Sequence, residues 1–381
     1  MAGNIVDVLE AAPPEVKQYQ RLKLTAVVVQ LLLTFLFLAI TALWLGPLLD
    51  QWIRSWVDGR WLRLIVVAFV YAVGLELLAL PIDFWSGYLL EHRHGLSNQT
   101  LGGWAWRRIK GYLIGGPLGL MVVLGLYAVL WLGGAWWWAI AAAGWLVLTL
   151  VLGRILPVLI LPLFYKVTPL EDAGLAERFR KLVEGTGLTI EGVYRLHLSA
   201  ETKKANAALA GLGKSRRVLL GDTLLESFTA DEIEVVFAHE VGHHVHRHLV
   251  QMVLVSVVLT AAGLWLVDLV LRAAAGPLGY AGFDDPAALP LVLLVLGVFS
   301  LLLMPALNAL SRLFERQCDR YALQRTGHAD AYRSAFSKLA RMNKSDPDPH
   351  PLIVWLLHDH PPIRERLAMA GDSPRVATRG L

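Results

Sequence analysis

Apolar and polar positions in this chain alternate in blocks of twenty residues or more, not with the short period of a soluble helix or strand. After a mixed-charge segment over 1–22, carrying Asp7, Glu10, Glu15, Lys17 and Arg21, an apolar run covers 24–49. It is longer than a signal-peptide core and predicts a first membrane helix. A second run covers 62–85, and 111–165 is apolar for two spans' length, with Gly133-Gly134 as the turn between them. Two further spans, 250–271 and 289–310, follow a polar stretch, and the chain beyond 311 is polar with helical spacing, ending in a loose tail after Gly371. Six spans are thus expected, four before the polar stretch and two after it. Glu76, Asp83, Arg154 and Asp268 fall inside apolar runs and are expected to line a wet interior or to pair with each other.

Within the polar stretch the period changes. Residues 193–198 alternate as a strand does, and 205–210 with 216–220 read as a hairpin around Gly211-Leu-Gly-Lys-Ser215. A helix then begins: Thr229-Ala-Asp-Glu232 matches a capping box, and Ile233, Val236 and Phe237 carry the helical spacing onward. The expected division is a polar segment at 1–22, a four-span membrane domain at 23–165, and a second domain at 166–381 that contains the last two spans.

Composition agrees with the block pattern. The chain of 381 residues is 56% hydrophobic and 17% charged, which predicts an integral, multi-pass membrane protein. Many of its 14 tryptophans stand at the ends of apolar runs, as in an interfacial belt. One cysteine, Cys318, excludes an intramolecular disulfide. The net charge of +4 resides mainly in loops, without the basic and aromatic interleaving of a nucleic-acid site, so no nucleic-acid partner is expected. With the amino terminus inside, the basic segments 86–111, 166–248 and 311 onward all fall on the cytoplasmic side, although Arg54 and Arg60 lie opposite. The two-span hairpin then returns the chain beyond 311 to the same face as the helix that precedes it.

That helix contains His239-Glu240-Val241-Gly242-His243. Histidines four apart lie one turn up a single helix face, so both rings can reach one metal ion with Glu240 beside it. His244 and His248 are also four apart, but only His239 is followed directly by a glutamate, which selects the frame; His244 and His246 read as helix-surface residues. A catalytic zinc needs a third protein ligand and an open fourth position. Beyond the hairpin, Glu315 is the expected third ligand, and Asp319, one turn on, is placed either to orient a ligand histidine or to pair with Arg316 or Arg320. Arg312 is a candidate partner for Glu315 or a neighbouring carboxylate. Glu240 is expected to act as general base on water and then as proton donor to the leaving amine.

Around these residues the chain resembles the CAAX prenyl protease type 1 family, integral-membrane zinc metalloproteases of the gluzincin kind. The matching residues are Pro162-Leu-Phe-Tyr-Lys-Val-Thr-Pro-Leu170, Glu91-His-Arg-His-Gly95 with Gln99-Thr100, Asn206-Ala207, and Asp222-Thr-Leu-Leu225. They continue with His239 to His243 and His248 downstream, Ser311-Arg312, Glu315 with Asp319, and His360-Pro-Pro with Arg366. The resemblance implies a mainly α fold: a polytopic membrane bundle enclosing a chamber, joined to a zincin-like catalytic domain with a small hairpin or sheet. It implies one zinc per chain and a peptide or protein substrate, prenylated or otherwise membrane-associated, entering from membrane lipid. In eukaryotic members the reaction removes the last three residues after a prenylated cysteine. It further implies that His360 and Arg366 hold the substrate carbonyl or carboxylate or stabilise the oxyanion. Asn206 and Ala207 would belong to an edge strand to which an extended peptide adds. The family is usually described with seven spans, one more than hydropathy finds here.

Two alternatives stay open at the level of sequence. One is a quality-control protease that clips membrane proteins without a prenyl requirement. The other is a catalytically silent scaffold or lipid-binding protein with a structural metal; its mark would be loss of Glu240, which is present. Oligomeric state is not legible in the sequence.

Overall fold

The computed structural model describes residues 12–211 and 216–372. The expected turn around 211–215 and the tail beyond Gly371 lie largely outside them, as do Asp7 and Glu10. Among the described residues six helices are long and apolar enough to cross a membrane: Pro14–Arg54, Arg60–Arg93, Leu101–Leu132, Gly134–Phe164, His248–Ala274 and Pro286–Thr326. The third and fourth meet at the expected place. Gly133 N–H closes on Val129 C=O, and Gly134 takes a positive φ of 57°, open to glycine without strain.

Three spans contain a turn of wider, π-helical winding, at Thr41–Leu45, Phe84–Leu89 and Leu156–Ile160. Pro47, Pro81 and Pro157 stand near or within these turns. Each lacks the N–H that a regular helix would use, so the chain re-pairs its carbonyls one residue further on.

Of the charges inside the spans, Glu76, Asp83 and Asp268 find partners on neighbouring elements, whereas Arg154 is exposed on the surface of the fourth span. Arg108 of the third span takes both Glu76 and Asp83 of the second, the latter at 2.9 Å. Asp268 accepts from Trp137 Nε1 at 2.6 Å and from Arg272 Nε at 2.9 Å. At the opposite end of the bundle Arg54 bridges Asp50 and Asp285, tying the end of the first span to the loop before the sixth.

The polar region folds as a four-stranded sheet: β1 Val167–Pro169, β2 Gly192–Leu196, β3 Ala207–Ala210 and β4 Arg217–Gly221, in the order β1-β2-β4-β3. The expected hairpin is β3 with β4, antiparallel, Ala207 opposite Leu220. β2 runs parallel to β4, and β1 is a short second edge. Asn206 directly precedes β3 and accepts the Gly221 N–H at 2.9 Å, so residues 206–210 form one edge of the sheet.

The motif helix covers Ala230–Val245 and begins with both capping-box bonds: Glu232 N–H donates to Thr229 Oγ1, and Thr229 N–H donates to Glu232 Oε2. Its apolar face, with Val236, Phe237 and Val241, packs into a core shared with Phe179, Val218 and Leu224. The final helix of the hairpin, Leu289–Thr326, has 38 residues. At 1.5 Å per residue it is about 57 Å long, against ~30 Å of hydrocarbon. Its last turns therefore leave the bilayer and run beside the motif helix.

Candidate active site

His239 and His243 project from one face of the motif helix, with ring centroids 5.2 Å apart. Glu315 meets them from the sixth-span helix. Its Oε2 lies 3.2 Å from His239 Nε2 and its Oε1 3.2 Å from His243 Nε2. One ligand atom from each of the three lies within 4.8 Å of the others. The carboxylate is buried, yet its Oε2 has no hydrogen-bond partner. The ring nitrogens are near it without hydrogen-bond alignment, so the donor atoms face a common point instead of satisfying one another. A buried carboxylate left in that state is costly unless a cation completes it. Two imidazoles and one carboxylate form the donor set of a catalytic zinc, so the residues fit the metal that the motif implies.

The outer ring nitrogen of His239 is fixed by Asp319, Nδ1 to Oδ1 at 2.9 Å. Asp319 is fully buried and is in turn gripped by Arg366, Nε to Oδ2 at 2.9 Å and Nη2 to Oδ1 at 2.6 Å. Burial alone would lower the His239 pKa, but the hydrogen bond to Asp319 and the nearby negative charge of Glu315 outweigh it and raise the ring to about 9. Of the two readings the sequence left open for Asp319, the structure places it against a histidine of the motif. Its arginine partner is Arg366, not Arg316 or Arg320.

Glu240, half-buried, lines a cavity of about 930 Å³ together with His239, Glu315, Asn206, Ala207 and His360. Leu24 and Val27 of the first span and Met304 of the sixth form another part of that wall. The cavity therefore joins the polar catalytic wall to a mixed stretch of the first span, where Leu24 and Val27 follow Lys17, Gln20, Arg21 and Lys23. His360 approaches from the loop before the last described helix, with Nε2 3.5 Å from Glu315 Oε2 and Nδ1 2.8 Å from Asp359 Oδ1. The bond to Asp359 raises the His360 pKa against the opposing effect of burial.

Arg312 departs from expectation. Among the described residues it pairs with no carboxylate; its Nη1 donates to the Val354 carbonyl at 2.8 Å and to the His358 carbonyl. Glu315 is three residues on, but it points to the motif helix, whereas Arg312 faces the short helix Pro351–Leu357. Arg366 also differs in what it touches, because its Nε and Nη2 are engaged by Asp319 inside the protein.

Sequence reasoning gave no role to Gly242, Asp359 or Gln317, and met His248 only as half of a rejected histidine pair and as part of a match. Gly242 stood inside the motif as a signal of close approach, but glycines are too common in this chain for that signal to be specific.

Comparison with known proteins agrees with this architecture. Residues 169–372 match the sequence model of "Peptidase family M48", and residues 13–166 match "CAAX prenyl protease N-terminal, five membrane helices". Among the described residues, this chain has four long apolar helices in that second region. The uncharacterized metalloprotease YhfN of Bacillus subtilis is 30% identical over 340 residues, spanning 88% of this chain and 80% of the relative. A CAAX prenyl protease 1 homolog of Arabidopsis thaliana is 32% identical over 308 residues, 79% of this chain and 72% of that one. The crystal structure of S. mikatae Ste24p superposes with a TM-score of 0.81 at 25% identity, covering 94% of this chain and 88% of the other.

Proposed function

The chain belongs to peptidase family M48 and is a multi-pass membrane metallopeptidase acting on peptide or protein substrates, and from that premise we propose that it is a zinc endopeptidase for membrane-associated, prenylated peptides. The observation that carries the reading is the convergence of His239, His243 and Glu315 on one point, with Glu240 beside them, in a cavity part of whose wall is first-span and sixth-span helix. His239, His243 and Glu315 hold the metal. When bound, zinc supplies Lewis acidity to the scissile carbonyl and makes water acidic near neutral pH.

The remaining chemistry falls to side chains of this chain. Glu240 takes the proton from the attacking water and returns it to the leaving amine. His360, held by Asp359, donates to the developing oxyanion. Asp319 and Arg366 act indirectly, by fixing the ring of His239. The substrate backbone adds to the edge at Asn206 and Ala207, which presents Glu240 with an extended peptide. Its lipid lies along Leu24, Val27 and Met304. The distribution of basic segments supports a cytoplasmic address for this machinery.

Two measurements test the reading. Glu240→Gln should retain about one zinc per chain and lose peptide cleavage; cleavage at the parent rate would remove Glu240 from the mechanism. A farnesylated peptide and its unlipidated twin should differ in turnover, with the farnesylated one preferred. Equal turnover would leave a membrane endopeptidase of broader scope, of the quality-control kind.

A further inference from the structure

The two histidines of the motif are supported differently, and only one support was legible in the chain. His239 leans on Asp319, itself paired with Arg366. Among the described residues no carboxylate bonds the outer nitrogen of His243. Its Nδ1 lies 3.3 Å from Nδ1 of His248, whose own Nε2 lies 2.8 Å from Gln317 Oε1. We propose that His248 is the positioning residue for His243: a buried, uncharged relay, completed by Gln317, that fixes the tautomer and orientation of the second histidine ligand. This rests on the metal-site reading above.

The proton assignment follows along the relay. Gln317 Oε1 can only accept, so His248 Nε2 carries hydrogen and its Nδ1 bears the lone pair. That lone pair accepts from His243 Nδ1–H, leaving His243 Nε2 with its lone pair toward Glu315, the side on which a metal would bind. The reverse assignment would put a proton on His243 Nε2 and close the site to a metal.

The backbone shows how His248 comes to be there. In an unbroken helix a residue five positions beyond His243 would stand about 140° around the axis from it. The motif helix instead ends at Val245, and Arg247 adopts a left-handed φ of 57°, uncommon for a residue with a side chain. The fifth span then starts at His248, swung back beneath His243. The ring is 2% exposed and stacked on Phe314, centroids 4.1 Å apart and planes 10° from parallel. Phe314, Gln317 and Cys318 share one stripe of the sixth-span helix, beside the stripe of Glu315 and Asp319. The sixth-span helix thus supplies a ligand, the carboxylate behind His239 and the residue that completes the relay behind His243.

The trio His243, His248 and Cys318 also lies within metal-ligand distance, with Cys318 Sγ 3.5 Å from His248 Nδ1. A metal there would need His243 to give up its Nδ1 proton while Nε2 is already committed, so the relay is the arrangement that costs no deprotonation.

The test is zinc affinity of the full-length protein in detergent, by competition with a chromophoric chelator, together with the visible spectrum of the cobalt-substituted protein. His248→Leu removes the acceptor; His248→Asn keeps an oxygen near the place of Nδ1. We expect His248→Leu to weaken zinc binding by ~10–100-fold and to shift the cobalt bands, with His248→Asn staying within about threefold of the parent. Parent-like affinity in His248→Leu would overturn the proposal. So would an equal loss in both variants, because that would assign the effect to ring packing on Phe314. If His243→Ala itself retains zinc, the ligand reading has failed instead.

Discussion

Gly242 and Cys318 are in such close apposition that a β-carbon on Gly242 would sit 3.0 Å from Cys318 Cα and 3.2 Å from its Sγ. The motif helix and the sixth-span helix touch backbone to backbone there, one turn from Glu315. That approach lets a carboxylate side chain reach both histidines. Gly242→Ala should therefore destabilise the protein by about 1–3 kcal/mol and reduce retained zinc. Thermal unfolding and metal content of the purified variant would check this, and an unchanged protein would show that the helices can separate without cost.

Asp319 is buried between His239 and Arg366. Asp319→Leu should weaken zinc binding by ~10–100-fold. It should also lower stability by about 3–5 kcal/mol, because the Arg366 charge is left buried without its partner. Arg366→Met should lower stability as well, with a smaller effect on zinc. Chelator competition and denaturant titration separate the two effects.

Arg312 holds the carbonyls of Val354 and His358, two residues before His360. Arg312→Met should leave zinc content unchanged, since none of the proposed ligands touches it. Cleavage should fall by on the order of 10–100-fold as His360 loses its placement. Loss of zinc in this variant would contradict the assignment.

Glu232 supplies the pH dependence that is easiest to isolate. Burial would push its carboxyl up, but Lys338, Ser334 and the Thr229 N–H outweigh burial and hold it below the ordinary range. A depressed folded-state value means that the group adds stability above the unfolded carboxylate value of about 4.3. That stability is lost as pH falls through the folded value. Glu232→Gln should therefore be less stable than the parent near neutrality, and the gap should close toward acid. Unfolding midpoints measured between roughly pH 3 and pH 7 report it directly.

Removing the metal should abolish cleavage and leave the helices in place. The motif helix is anchored through Phe237, Val236 and Val241 in an apolar core, so its folding does not depend on an ion. Circular dichroism should be unchanged after chelation and activity should return with added zinc, whereas unfolding on chelation would indicate a structural metal.

The sequence by itself determined the parts whose physics is local. Apolar runs of membrane length predicted six spans, and six long apolar helices are present among the described residues. The capping box at Thr229 located the start of the motif helix, because capping is a contact between residues three apart. A helical repeat alone was enough to put His239 and His243 on one face. The tertiary structure decided what lies across from each of them. Glu315 was legible because the hairpin had to return the chain to that face, but Arg312 was misread, since spacing along a helix does not say which neighbour packs against which side. His248 was beyond reach for the same reason. Its position beneath His243 depends on one left-handed residue at Arg247 and on the angle at which two helices meet, and neither is encoded in a periodic pattern.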